Sequence, residues 1–540
     1  MYTRRSRAVL VVAALVCSAV VTTGITGGVG AGTAQAASES KCSVSGSSSK
    51  LVVKTDRGAV KGTTSNGVRT WKGVPFAAPP VGKLRWRAPA EHACWKGALA
   101  ATKFGAPCPQ LDNAGTVVGS EDCLKLNVWR PDTGTKPRAV MVFVHGGGHL
   151  QGSTAQVTGG VTLYDGATLA SKGNVVVVTV EYRLGSLGWL ADSALAASAK
   201  KPAGNYGLLD EIAALRWVKT NIGAFGGDPK RVLLFGESAG AVDTCLLMSS
   251  PIARGLFSRA LVESGACVAA DATTAKRAAV SFQEAAGCNT AAKVAACLRA
   301  LPVDTVLKTL PGSIDLTSLG RPRYGPYIDG RVLASDPLGV IGAGKGNQMP
   351  VIVGSNEDES ALFVRDVPDA NAYATALANA VGPAVTEKIL AQYPVTAYDS
   401  PLAAMIAATT DPRFTCSARN TVRALLEGQH QPVYRYYFTH TMDGGALRLL
   451  GAFHGLDLFF VFGHMNTQNY QPSAAETALS DAMIGYWSRF AATGNPNGGG
   501  AVKWPPAKTG ADPYLGLDST IAAGDGVRTA QCDFWDSLTG

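Results

Sequence analysis

Apolar residues in this chain gather into short runs separated by turn-rich stretches. Ala139 to Val144 and Val175 to Val180 are almost wholly apolar, and Val232 to Phe235 follows suit. Such runs suit strands buried on both faces of a sheet. Arg259 to Glu263 and Pro350 to Val353 predict further strands, and Val433 to His440 is aromatic and strand-like. Leu124 to Val128 alternates apolar and polar positions, and Val52 to Thr63 predicts one or two short strands around Arg57-Gly58. Elsewhere the period changes: Leu209, Ile212, Leu215 and Val218 recur at three-residue spacing, which predicts a helix over 208–222. Ala239 to Ser249 and Ser480 to Ala492 read as two more helices.

Strands alternating with helices predict an α/β fold around a large, mostly parallel sheet. The stretch from Val268 to Met349 has few strand signals and predicts a helical insertion above that sheet. No internal repeat or linker divides the chain beyond its first forty residues. With 46% hydrophobic residues in 540, a large core is available and global disorder is excluded. The formal charge of +9 is spread without a basic block, so nucleic-acid binding has no compositional support.

The N-terminus reads differently. Arg4, Arg5 and Arg7 precede an apolar stretch from Ala8 to Val21, and Ala34-Gln35-Ala36 matches an A-x-A cleavage site. This pattern predicts a secretory signal over 1–36 and a mature catalytic unit over 37–540. The apolar run dissolves into Thr and Gly after Val21, which argues against a membrane anchor. Export through a twin-arginine route has weaker support, because Ser6 and Arg7 stand where hydrophobic residues usually follow such a pair.

Export gives the cysteines a meaning. Of 11, Cys17 leaves with the signal and ten remain, an even number that suggests disulfides. Cys108/Cys123 and Cys288/Cys297 are close enough to close small loops. No CxxC pair or suitably spaced His supports a metal site.

The chemistry begins at Gly236-Glu237-Ser238-Ala239-Gly240, directly after the strand Val232–Phe235 and opening a helix. That is the strand–turn–helix context of a nucleophile elbow, where glycines permit a turn too tight for side chains. Upstream, His145-Gly146-Gly147-Gly148 follows the strand Ala139–Val144 and matches loops whose backbone N–H groups hold an oxyanion. A serine nucleophile needs a base held by an acid, in the chain order Ser, acid, His. The acid falls in Ser355-Asn356-Glu357-Asp358-Glu359, just past a predicted strand. For the base, His430, His440, His454 and His464 follow; His454 lies in a loop, and His440 at a strand end is its main rival.

Taken together these motifs resemble the type-B carboxylesterases, the lipase and cholinesterase group of α/β-hydrolases. The resemblance runs from about Leu51 to Leu538 and includes Glu121-Asp122-Cys123-Leu124-Lys125-Leu126-Asn127-Val128, Gly204-Asn205-Tyr206-Gly207-Leu208-Leu209-Asp210 and Gly494-Asn495-Pro496-Asn497. It implies a Ser238-His454-Glu359 triad, with the acid in Asn356-Glu357-Asp358-Glu359-Ser360 and the base in His454-Gly455-Leu456-Asp457-Leu458. It implies oxyanion donors at Gly147, Gly148 and Ala239, supported by Glu237, Ser264 and His145. It also implies Cys108–Cys123, Cys288–Cys297 and Cys416–Cys532 bridges, and ion pairs of Arg85 with Glu121 and Arg183 with Asp210. Cys42, Cys94, Cys245 and Cys267 stay open to three pairings.

Two departures stand out. Gln110 to Ser120 has no aromatic residue where cholinesterases stack a quaternary ammonium, and His149 stands where the family usually has an aromatic. The expectation is a secreted serine esterase acting on a small-molecule ester through an acyl-enzyme. No cofactor, nucleic-acid partner or lasting membrane insertion is expected, and a monomer is favoured. The alternatives are a lipase with an apolar lid in 268–349 and a non-catalytic binding or adhesion module.

Overall fold

The computed structural model describes Cys42 and residues 49–199, 203–290, 292–313, 324–467 and 469–539. The expected signal over 1–36 lies outside the described residues. An eleven-stranded sheet forms the frame. Its strands, in chain order, are β1 (Thr63–Ser65), β2 (Val68–Pro75), β3 (Lys125–Pro131), β4 (Arg138–Val144), β5 (Val176–Val180), β6 (Gly227–Glu237), β7 (Arg259–Glu263), β8 (Val351–Asn356), β9 (Val433–Phe438), β10 (Pro513–Leu517) and β11 (Ala522–Asp525). Their order across the sheet is β11-β10-β9-β8-β7-β6-β4-β5-β3-β2-β1. The middle, from β10 to β5, is parallel; the pairings β5–β3, β3–β2, β2–β1 and β10–β11 are antiparallel. This is an α/β-hydrolase fold.

The valine-rich runs occupy the sheet centre because both of their faces are covered. All seven residues of β4 and all five of β5 are buried. Along β4, Val140, Val142 and Val144 pack into one core, while Met141 and Phe143 enter the core on the other face. That is the period-two geometry of a strand serving two helix layers.

The helix predicted over 208–222 spans Tyr206–Asn221. Its buried side is wider than the predicted stripe. Leu208, Ile212, Leu215 and Val218 are buried and Leu209 only half so, while Asp210 and Glu211 also turn inward. The buried Asp210 carboxylate meets the Arg183 guanidinium in two bonds of 2.7 Å, which satisfies both charges. Arg85 and Glu121 form a similar fork at 2.6 and 2.7 Å.

The predicted insertion after Val268 holds helices Ala272–Ala285, Val294–Ala300, Val303–Thr309 and Pro337–Gly342. A second helical insertion gave no strong signal in the sequence. Ala370–Val381, Pro383–Gln392 and Pro401–Thr410 build a separate small core around Tyr373, Leu377, Ile389, Tyr393 and Met405.

Five disulfides fasten these layers. Cys108 pairs with Cys123, Cys288 with Cys297, and Cys416 with Cys532. The four cysteines that the resemblance left open pair as Cys42–Cys94 and Cys245–Cys267. Among the described residues, no helix is long and apolar enough to cross a membrane.

Candidate functional site

Strand β6 ends at Glu237 and the helix Ala239–Ser249 begins two residues later. The chain reverses this sharply only because Ser238 adopts φ 56° and ψ −120°. Few side-chain-bearing residues tolerate that region, and its cost is met by surrounding contacts. The Ser238 N–H donates to Glu263 O at 3.0 Å, tying the turn to the adjoining strand β7. The flanking glycines are required by close approach. A Cβ at Gly236 would lie 2.4 Å from Gly240 O, and one at Gly240 would lie 2.1 Å from Val144 O. Ser238 is left half-buried at a helix N-terminus, facing a cavity of 860 Å³.

The loop after β4 faces the same cavity. Gly147 and Gly148 have φ of 105° and 62°, and a Cβ at Gly147 would meet Gln151 O at 2.0 Å. Their N–H groups and that of Ala239 have no hydrogen-bond partner among the described residues. His145 sits beneath this loop, fully buried and stacked on Tyr182, whose hydroxyl donates to His145 O at 2.9 Å.

Strand β8 leads into the segment that holds the candidate acids. Of its three candidates, Glu357 is exposed, and Asp358 accepts the Ala452 N–H at 2.9 Å. Glu359 is fully buried, and its Oε2 lies 2.6 Å from His454 Nδ1. Its other oxygen accepts the Asn356 N–H at 2.7 Å. The histidine loop is locked to the acid loop, with Asp358 N–H donating to Ala452 O at 3.0 Å and Asn356 Nδ2 to Phe453 O at 2.8 Å. Phe363 and Phe414 flank the His454 ring at 5.1 and 5.0 Å and shield it from water.

The electrostatics are strongly biased. His454 Nε2 lies 3.0 Å from Glu237 Oε1, without the alignment of a hydrogen bond. Burial alone would lower the basicity of this imidazole. The Glu237 and Glu359 carboxylates outweigh it and hold the histidine well above its ordinary range. Behind them lie further buried acids that the sequence analysis did not single out as site residues. Burial and the Glu237 and Glu359 charges push Asp457 up to about 7, although Tyr436 and Asn356 donate to it at 2.9 and 3.2 Å. Burial and the Asp457 charge push Glu263 well above the carboxylate range. A clue was present, since Asp457 interrupts the apolar run Leu456–Phe462. Ser264 lies just past β7 with φ 57° and, among the described residues, no partner for its hydroxyl.

The rival histidines sit elsewhere. His440 Nδ1 bonds Asp518 at 2.9 Å, His464 Nε2 bonds Asp165 O at 2.9 Å, and His430 is exposed. His440, Asp443 and Glu476 bring ligand-type atoms within 4.8 Å of one another. Glu476, however, is committed to capping the helix Ala474–Thr493, so the cluster reads as structural.

Comparisons with known proteins bear on this site. Residues 49–535 match the carboxylesterase family. The para-nitrobenzyl esterase of Bacillus subtilis is 36% identical over 485 residues, covering 87% of this chain and 95% of that protein. The fumonisin B1 esterase of Sphingopyxis macrogoltabida is 35% identical over 499 residues, covering 88% of each. Among solved structures, a PNB esterase superposes with a TM-score of 0.78 at 34% identity, covering 90% of this chain and all of that one.

Proposed function

The chain belongs to the carboxylesterase family, and on that premise we propose that Ser238, His454 and Glu359 carry out two-step ester hydrolysis. The observation that supports it most is the 2.6 Å bond from His454 Nδ1 to a wholly buried Glu359, beside a strained serine in one cavity. Ser238 Oγ attacks the ester carbonyl as His454 Nε2 takes its proton. Nε2 now rests against Glu237, so the serine–histidine hydrogen bond forms as substrate enters. Glu359 fixes the ring with its proton on Nδ1 and, with Glu237, stabilises the imidazolium. The Gly147, Gly148 and Ala239 N–H groups receive the oxyanion, each such donor contributing ~2.7–4 kcal/mol. His454 then protonates the leaving alcohol, and water, activated in turn by His454, releases the acid. Turnover of p-nitrophenyl butyrate by wild type and Ser238→Ala tests the reading, which equal rates would overturn. A fluorophosphonate probe should label Ser238; absence of labelling would favour a binding module. A rate that jumps at an oil–water interface would favour a lipase.

Export completes the proposal. Five disulfides and the pattern of residues 1–36 support a chain that is secreted and trimmed after Ala36. The N-terminal sequence of protein recovered from culture medium should begin at Ala37.

A further inference from the structure

His149 is the second histidine on the cavity wall, and it stands one residue beyond Gly148. Its backbone is left-handed, at φ 59°, a conformation that a residue with a side chain keeps only when its surroundings hold it there. Three contacts do so. Gly185 N–H donates to His149 O at 2.7 Å, the ring packs edge-on against Trp189 at 4.8 Å, and Nε2 lies 3.0 Å from Asp243 Oδ1.

Asp243 is wholly buried on the helix that starts at Ala239, and Glu211, only 1% exposed, faces it from the helix Tyr206–Asn221. Both Glu211 oxygens and Asp243 Oδ2 lack any N–H or O–H donor from other groups among the described residues. Burial and the Asp243 charge push Glu211 well above the usual carboxylate range.

Asp243 decides how His149 is presented, because its Oδ1 is the partner of Nε2. Nδ1 is the nitrogen left over, and it has no hydrogen-bond partner among the described residues. It faces Gly325 on the cavity wall, where a Cβ would stand 3.3 Å away. The cavity wall mixes apolar side chains, among them Phe363, Phe414, Phe453 and Leu458, with polar ones, and His149 is the polar ring next to Gly147 and Gly148.

We propose that His149 forms a polar subsite that recognises an oxygen function, a hydroxyl or a carboxylate, placed a few bonds from the scissile carbonyl of the ester. This rests on the reading of Ser238 as nucleophile. A neutral ring offers Nδ1 as an acceptor for a hydroxyl, and a cationic ring offers an Nδ1–H donor to a carboxylate. The preferred substrates are then esters of hydroxy acids, half-esters of dicarboxylic acids or esters of diols, more than plain alkyl esters.

The test compares kcat/KM for propyl butyrate, propyl 3-hydroxybutyrate, monopropyl succinate and 2-hydroxyethyl butyrate in wild type, His149→Phe and Asp243→Asn. In wild type at least one oxygenated ester should be favoured over propyl butyrate. In His149→Phe that ratio should fall on the order of tenfold, the scale of one lost hydrogen bond to a polar group. Asp243→Asn keeps an acceptor for Nε2 but removes the charge, should weaken the succinate ratio most, and guards against a His149→Phe chain that does not fold. The arm that responds shows whether the oxygen is read on the acyl or the alcohol side. Ratios unchanged in both variants overturn the subsite and leave the esterase reading standing. Failure of wild type to hydrolyse any of these esters or p-nitrophenyl butyrate overturns the esterase reading itself.

Discussion

Two histidines line one cavity, each tethered to a buried carboxylate, yet they are built for different work. His454 is held through Nδ1 by Glu359 at 2.6 Å, and His149 through Nε2 by Asp243 at 3.0 Å. The tethered nitrogen dictates which one is left over: Nε2 on His454, Nδ1 on His149. The surroundings differ as well. His454 has a second carboxylate, Glu237, against its free nitrogen, which raises its basicity as a proton acceptor. His149 has its second carboxyl one step removed, behind Asp243, where burial and the Asp243 charge hold Glu211 well above the usual carboxylate range. A histidine–carboxylate pair is therefore not a catalytic signature by itself. It becomes one when the free nitrogen reaches a nucleophile.

The comparison can be broken most severely at the catalytic pair. Ser238→Ala should lower kcat for p-nitrophenyl butyrate roughly 10,000-fold or more, with labelling by the fluorophosphonate abolished. Glu359→Gln keeps the shape but lets the ring take the wrong tautomer, and should lower kcat by about 10,000-fold in the same assay. Next comes the frame around the second pair. The Cys245–Cys267 bond closes a separation of 22 residues, two positions from Asp243. Its removal by paired Ser substitutions should destabilise the protein by about 3 kcal/mol in denaturant titration.

The subtlest probe is pH. His454 must be neutral to act as base, and its basicity is raised. The acidic limb of kcat/KM should therefore lie above the range of an ordinary imidazole, and Glu237→Gln should move it to lower pH. Stability runs the other way. A histidine raised on folding stabilises the fold below its unfolded pKa of about 6.5 and loses that contribution as pH rises through its folded value. Glu237→Gln should accordingly narrow the melting-temperature advantage at acidic pH, measurable by calorimetry.

The elbow and the oxyanion loop were legible because their geometry is local. Gly236 and Gly147 sit where a Cβ would fall within 2.4 Å of a backbone oxygen four residues further on, so the requirement is written at the residue that meets it. The valine runs were legible because burial on two faces leaves no polar positions along a strand. The last two strands, β10 and β11, and the helices Ala370–Val381 to Pro401–Thr410 were not, since short or half-exposed elements carry weak periodicity.

By itself, then, the sequence marked the central strands, the serine turn and the loop beside it, because each carries its signal within a few residues. The resemblance pointed to Glu359, and the tertiary structure supplied the physical ground by burying it, exposing Glu357 and bonding Asp358 to Ala452. It alone joined Cys42 to Cys94, and it alone brought Asp243 to His149 from 94 residues away. Such pairings depend on which side chains burial leaves facing each other, and no local pattern along the chain encodes that.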